Sequence, residues 1–309
     1  MHLGESLPGI LVTGGTGLLG WHLVNKLPKD YQVIATYHTN RPPFEDPQVK
    51  WIYLDLVDHD EIKRIIEDLR PEIVIHTAAY TDVDGCETDR KRAFSVNYLA
   101  TKSLIRACQG ICEYFIYIST DYVFDGEKGY YSEEDLPCPV NYYGLTKLLG
   151  EVVTANLSDK SLIIRTSGIY GCSPGGKKGF ALNLLEKLSK RYEVTAFTDQ
   201  YLSPTYAPHL ASNILELLEL RIHGFLHIAG DRASRYDFAI AVARELGADE
   251  KLVKSSPMDT SLFRARRPRD SSLDTKRAKE ELGLSFKSMR DCIREFIRDC
   301  GEGNAIQKF

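Results

Sequence analysis

Thr13-Gly14-Gly15-Thr16-Gly17-Leu18-Leu19-Gly20 follows directly on the apolar run Ile10-Leu11-Val12 and leads into a segment with apolar residues at three- and four-residue intervals. The glycines read as Gly15-x-Gly17-x-x-Gly20 or as Gly14-x-x-Gly17-x-x-Gly20. Glycine lets a chain turn tightly and brings its backbone close to a pyrophosphate, whose charge the N–H groups and dipole of the following helix can meet. Taken alone, such a pattern is equally well explained by a structural turn. Its place at a first strand-to-helix junction, ahead of further βα units, favours a dinucleotide. Gly14, Thr16, Gly17, Leu18, Leu19 and Gly20 are therefore candidate cofactor-binding residues.

Outward from this turn, apolar strand-like runs occur at 10–13, 32–37, 51–54, 73–77, 114–119 and 162–166, with amphipathic helical segments at 18–27, 59–69, 90–108 and 143–155. Parallel strands need right-handed crossovers, so this alternation predicts helices on both faces of a parallel sheet. Beyond 166 the rhythm changes, with a loop at 171–179, helices at 180–190, 207–220 and 235–246, strands at 192–197 and 224–228, helices near 275–282 and 288–300, and a frayed end from 301. The expected fold class is α/β, a Rossmann-type doubly wound parallel sheet with a smaller, interleaved C-terminal substrate-binding lobe. Residues 1–167 and 192–230 are assigned to the first lobe, and 168–191 and 231–309 to the second.

The 309 residues carry 39 Lys+Arg against 43 Asp+Glu, a net charge of −4. That balance argues against nucleic-acid binding by counterion release, the one basic cluster being Arg264, Arg266, Arg267 and Arg269. No run approaches the ~20 apolar residues of a membrane span. Residues 1–8 lack the basic start and apolar middle of a signal peptide, so no membrane partner and a cytoplasmic location are expected. The seven cysteines are spread along the chain, and Cys108 and Cys112 read as buried thiols rather than a metal pair; no metal is assigned.

The second strand bears on the choice of dinucleotide. An NAD site usually places an acid about 20 residues after the glycines, but here the strand ends Ala35-Thr36-Tyr37-His38-Thr39-Asn40-Arg41. Arg41, with His38, could pair with a 2′-phosphate. NADP(H) is thus the expected cofactor, with NAD(H) the other candidate.

Asn141-Tyr142-Tyr143-Gly144-Leu145-Thr146-Lys147 opens a further helix, with Tyr143 and Lys147 at i, i+4 and Tyr142 rotated away. A phenol titrates near pH 10, and a neighbouring ammonium would make it a better acid–base group. Such a pair alone is commonly surface packing. Ser119-Thr120-Asp121 strengthens the chemical reading by placing a hydroxyl at the carboxyl end of a parallel strand, where α/β folds bind ligands. Thr120 and Tyr143 could both donate to one carbonyl oxygen.

These motifs resemble the extended short-chain dehydrogenase/reductase family and, within it, the dTDP-4-dehydrorhamnose reductases. The likeness runs through Thr13 to Gly20, His76-Thr-Ala-Ala-Tyr-Thr-Asp-Val-Asp84, Ala93 to Asn97, Ser119-Thr-Asp-Tyr-Val-Phe-Asp-Gly126, Tyr143 to Glu151, Asp199-Gln-Tyr-Leu-Ser-Pro-Thr205, and Arg266-Arg-Pro268 with Leu273-Asp-Thr275. It implies that Tyr143 is the acid, Lys147 its partner and a ribose ligand, Thr120 the carbonyl-orienting hydroxyl and Asn97 a support for the lysine. It extends the cofactor set to Tyr37, Asp55, Leu56, Ala78, Ala79 and Tyr80. On the substrate side it implies Thr81, Asp82, Val83, Asp121 and Gly168 beside Thr120 and Tyr143, with Arg266 and Arg267 holding a diphosphate. The implied reaction is NADPH-dependent reduction of the 4-keto group of a nucleotide-linked 6-deoxy sugar, most nearly dTDP-4-dehydrorhamnose to dTDP-L-rhamnose.

Two alternatives stand beside it: the non-catalytic, NADP-binding β subunit of methionine adenosyltransferase, and a sugar-nucleotide epimerase. Asp121-Tyr122 stands where 4,6-dehydratases place Asp-Glu, which disfavours elimination of water. Family members commonly carry Trp at the position of Gly168, so the sugar-side packing is expected to differ. His22 follows Trp21 where some members place an acid at an interfacial metal. A homodimer is left open.

Overall fold

The computed structural model describes residues 7–43, 46–174 and 179–302. The readings made above for 1–6, 175–178 and 303–309 fall outside these. In chain order the first elements are β1 (Gly9–Thr13), α1 (Leu18–Lys26), β2 (Gln32–Tyr37), β3 (Val49–Tyr53), α2 (His59–Leu69), β4 (Ile73–His76), α3 (Val83–Thr88), α4 (Arg90–Phe94), α5 (Ala100–Cys108), β5 (Tyr114–Thr120), α6 (Tyr142–Ala155) and β6 (Ser161–Thr166). There follow β7 (Ile169–Tyr170), α7 (Phe180–Ser189), β8 (Val194–Phe197), β9 (Tyr201–Leu202), β10 (Thr205–Tyr206), α8 (Ala207–Leu220), β11 (Gly224–His227), β12 (Ala233–Ser234), α9 (Arg235–Leu246), β13 (Val253–Ser256) and α10 (Met289–Glu302).

The main sheet has seven strands in the order β11-β6-β5-β4-β1-β2-β3, every pair parallel. Its α/β doubly wound character is that expected from the alternating pattern. Central strands are buried on both sides, as β5 shows along its whole length, so their sequences are apolar without alternation. On one face Ile10, Val12, Ile75 and Ile116 pack with Leu19 and Leu23 of α1 and Leu210, Ile214 and Leu217 of α8. On the other, Leu11, Val74 and Phe115 pack with Ile62 and Ile66 of α2 and Leu104 of α5. Strand order reverses between β1 and β4, and ligands of such sheets bind at the carboxyl ends beside that point.

A second apolar cluster gathers Tyr170, Leu185, Val194, Phe238, Val242, Ile293 and Phe296 from β7, α7, β8, α9 and α10. Its membership changes the lobe boundaries drawn from the sequence. β8 pairs with β13, not with the large sheet, so residues 194–197 join the second cluster. Conversely, Ala278 and Leu284 pack in the main-sheet cluster, so the chain returns to the first body before α10. Periodicity distinguishes a buried strand from an exposed one but does not say which sheet receives it.

Other elements also differ from expectation. Residues 90–108 are not one regular helix: a π-helical turn, Ser95–Leu99, separates α4 from α5. The reading at 275–282 is another π turn, Arg277–Glu281, and α3 was not expected. Cys172 and Cys300 form a disulfide across 128 residues of sequence, their Cα atoms 5.9 Å apart. Spacing along the chain offered no sign of it, because the second lobe alone brings them together.

Candidate active site

The glycine turn lies at the carboxyl end of β1. Gly14 has φ +69°, in the left-handed region where a side chain is strained. Its N–H donates to Thr36 Oγ1 at 3.1 Å and that of Gly15 to Thr36 O at 2.7 Å, which tie the turn to β2. A Cβ on Gly20 would overlap Gly14 O, so α1 can approach the turn this closely only with glycine there. Gly17 is the α1 N-cap and contributes no side-chain cap, which leaves first-turn N–H groups to an outside acceptor. Ala78 lies against Gly14, in the loop after β4. This cradle fits a dinucleotide pyrophosphate across Gly14, Thr16, Gly17, Leu18, Leu19 and Gly20.

At the end of β2, His38 Nε2 stands 3.6 Å from Asp55 Oδ2, and Tyr53 packs edge-on to Tyr37 at 5.9 Å between ring centres. Arg41 is exposed in the loop that follows. His38, Asp55, Tyr37 and Tyr53 thus meet at the carboxyl ends of β2 and β3, and the buried Leu56 follows in the turn after β3.

Tyr143 and Lys147 rise from α6, which starts at the Asn141 cap, whose side chain accepts from Gly144 N. The buried stripe of α6 is small or polar: Gly144, Thr146, Lys147, Gly150, Glu151 and Thr154. Gly144 and Gly150 let the helix lie close, since a Cβ at either would overlap Tyr122 O or the Tyr117 hydroxyl. Thr120, ending β5, lies close enough to the Tyr143 phenol to oppose the rise in its pKa, so the two expected hydroxyls come together, while the Thr120 hydroxyl itself donates to Asp121 Oδ1 at 3.1 Å.

Lys147 departs from expectation. Its Nζ donates to Ile118 O at 2.7 Å and lies 4.1 Å from the centre of the Tyr117 ring. Burial lowers its pKa to about 7, with Glu151 opposing, and burial is also what raises Tyr143 well above the ordinary phenol value. The lysine's lowering of the tyrosine pKa, expected from the sequence, is therefore not the governing effect here. Desolvation wins, and the phenol keeps its proton at neutral pH, the state needed to protonate an alkoxide.

Asn97 sits in the π turn, a distortion often found at functional sites. Its Oδ1 accepts from Tyr80 N at 2.7 Å, and its Nδ2 donates to Tyr80 O at 3.1 Å and to Thr146 Oγ1 at 3.0 Å. The direct partners of Asn97 are thus the loop after β4 and the catalytic helix. A buried chain continues from it: Thr101 Oγ1 donates to Asn97 O, His76 Nε2 meets Thr101 Oγ1 at 3.1 Å, and His76 Nδ1 meets Thr13 Oγ1 at 2.7 Å. Burial, then Lys147, lowers the His76 pKa to about 3, so this link is neutral. Sequence reasoning missed Thr13, Thr101 and the role of His76; His76 lay within a quoted block, but no spacing signals such a chain.

The substrate-side residues divide. Asp82 caps α3 by accepting from Gly85 N at 2.9 Å, with Thr81 before it and Val83 opening the helix. Asp121 does not present itself to a substrate: it is 2% exposed, and its oxygens accept from Thr120 (3.1 Å), Ser167 (2.7 Å) and Ser271 (2.5 Å). It braces Thr120 against the second lobe. Arg266 pairs with Glu127 at 3.4 Å, and Arg267 with Asp84 at 2.8 Å. Arg267 is thus held by a close carboxylate, while the Arg266 pair is long and exposed on both sides, which leaves that guanidinium in water. Gly168, at φ +48°, borders a cavity with Gly171, Phe180, Pro204 and Arg235; a Cβ there would also crowd Leu202.

Fold and site define a class, the nucleotide-dependent oxidoreductases of the extended short-chain dehydrogenase/reductase type. Within it, the description "RmlD substrate binding domain" matches residues 9–301, and the chain belongs to that family. It is 36% identical, over 91% of its length and 94% of the relative's, to a probable low-salt glycan biosynthesis reductase of Haloferax volcanii. The crystal structure of a hypothetical dTDP-4-dehydrorhamnose reductase from Sulfolobus tokodaii superposes with a TM-score of 0.81 at 42% identity, covering 92% of this chain and 98% of that one. A dTDP-4-dehydrorhamnose reductase from Bacillus anthracis in complex with NADP gives 0.81 at 27% identity, covering 95% and 99%. The β subunit of methionine adenosyltransferase 2 from Xenopus tropicalis is 29% identical over 94% of this chain and 88% of its own.

Proposed function

We propose that the protein reduces the 4-keto group of a nucleotide-linked 6-deoxy sugar, with dTDP-4-dehydrorhamnose as substrate and NADPH as reductant. The observation that carries this reading is the closeness of the Tyr143 and Thr120 hydroxyls at the carboxyl end of β5, on the same edge of the parallel sheet as the glycine turn that ends β1. When bound, the dihydronicotinamide supplies the hydride. Thr120 and Tyr143 orient the carbonyl oxygen, and Tyr143 gives up its phenolic proton as negative charge develops there. Lys147 and Asn97 hold the cofactor side, and the second cluster forms the substrate lobe. Arg41 and His38 take the 2′-phosphate, so Arg41→Ala should weaken NADPH far more than NADH. We place the reaction in the cytoplasm.

The test is consumption of NADPH by the purified protein with dTDP-4-keto-6-deoxy sugars, identifying the product's stereochemistry. Turnover to dTDP-L-rhamnose is expected. A stable complex with methionine adenosyltransferase and no NADPH consumption would replace this reading with the regulatory one, which the relatives named as β subunits keep in view.

Lys147 makes a further test. With its native pKa lowered to about 7 and an unfolded value near 10.4, the unfolded chain binds one more proton between those limits. Stability of the cofactor-free protein should therefore rise with pH across that window, by at most about 1.4 kcal/mol per pH unit from this group. Denaturant titrations at several pH values should show this component flattened in Lys147→Met. Identical pH profiles for the two proteins would mean that Lys147 stays charged in the native state.

A further inference from the structure

We propose that Arg235 grips the diphosphate of the sugar nucleotide, and that the cavity bordered by Gly168, Gly171, Phe180 and Arg235 seats the nucleoside diphosphate. The inference rests on the reductase reading above and adds the residue that selects the substrate's nucleotide half.

The argument begins with unmet charge. Arg235 opens α9, next to the Ser234 cap. Its guanidinium lies 4.6 Å from the centre of the Phe180 ring. Among the described residues its one side-chain hydrogen bond is a long one, Nε to Gln200 Oε1 at 3.4 Å. Among the described residues no carboxylate forms an ion pair with it. Asp121 acts on it at longer range, but the Asp121 oxygens are occupied by three hydroxyls. Burial works against its charge, with Arg267 adding repulsion.

Arg235 is half-buried, and a guanidinium partly withdrawn from water without an anion leaves donors unmet. Arg267, by contrast, has Asp84 and the carbonyl of Ala265. The arginine left over is the one that faces a cavity of about 200 Å³. That cavity also reaches Leu18, the first residue of α1, so it adjoins the cofactor turn. A planar fork of donors beside an aromatic ring suits a phosphate oxyanion, with the ring free to pack against an attached nucleoside.

The experiment is calorimetric titration of the full chain, loaded with NADP, with dTDP, dTMP and thymidine. Wild type, Arg235→Met and Arg235→Lys are compared, each with its NADPH affinity and steady-state constants. Arg235→Met should weaken dTDP by about 10–100-fold and thymidine by less than about 3-fold, leaving NADPH affinity unchanged. The KM for the dTDP-sugar should rise while kcat holds. Arg235→Lys, which keeps the charge and loses the fork, should fall between, and it carries the test if the methionine variant does not fold. Unchanged dTDP affinity, equal losses for dTDP and thymidine, or a matching loss of NADPH would each overturn the assignment. Wild type that binds dTDP through Arg235 but turns over no keto sugar would support it, with the reductase reading failing alone.

Discussion

Replacing Tyr143 by Phe lowers kcat for ketone reduction by about 10²–10⁴-fold, while NADPH binds as in wild type. The phenol is the group on α6 that has a proton to give and lies beside the strand-end hydroxyl of Thr120. Its pKa, raised chiefly by burial, keeps that proton in place at neutral pH. Phenylalanine retains the ring and its edge-on packing with Tyr122, 5.9 Å between centres, so the loss is chemical rather than structural. Tyr142→Phe is the control. Tyr142 is held elsewhere, with Arg90 5.0 Å from its ring centre and its backbone N–H donating to Glu87 at 2.7 Å. Its variant should keep kcat within about 3-fold, a barrier change below about 1 kcal/mol. Stopped-flow traces of NADPH oxidation separate the chemical step from binding. Normal rates in Tyr143→Phe, or equal losses in the two variants, would remove Tyr143 as the proton donor.

What the sequence made legible follows from the range of the forces involved. The glycine turn and the i, i+4 pair are local, so both appear as spacings, and the sheet follows from repeated apolar runs. Long-range partners do not appear this way. Asn97 reaches Tyr80 and Thr146 from within the π turn, and an amphipathic pattern across 90–108 hides that turn. Lys147 was read as serving Tyr143 because they share a helix face; its Nζ instead meets the backbone of β5, which no helical spacing encodes. Arg266 and Arg267 stood out as a cluster, yet clustering says nothing of whether carboxylates wait nearby. Arg235 stood alone in the sequence and emerged only when its surroundings could be inspected.

Glu151→Ala should cost about 3–5 kcal/mol of stability, the largest loss expected from any single polar substitution in the protein. Glu151 is one turn beyond Lys147 on the buried stripe of α6. Its carboxylate accepts from Arg165 Nε at 2.9 Å and Nη2 at 2.8 Å, with side chains 3% and 1% exposed for Arg165 and Glu151. Ser119 Oγ donates to the same carboxylate at 2.6 Å. The pair thereby ties α6 to β5 and β6, the three elements that set Tyr143 against Thr120. Alanine leaves the guanidinium inside, held only by its faces against Phe124 and Phe225 at 5.0 and 4.6 Å. Arg165 Nη1 already lacks a partner, so little local rescue is at hand. Removing both charges is a different operation: Glu151→Leu with Arg165→Met eliminates the stranded cation and should recover much of the loss, because paired burial of charge is itself expensive. Urea denaturation of wild type, Glu151→Ala and the double variant measures both effects. A double variant no more stable than Glu151→Ala would mean that the hydrogen bond from Ser119, rather than the ion pair, holds the helix to the sheet.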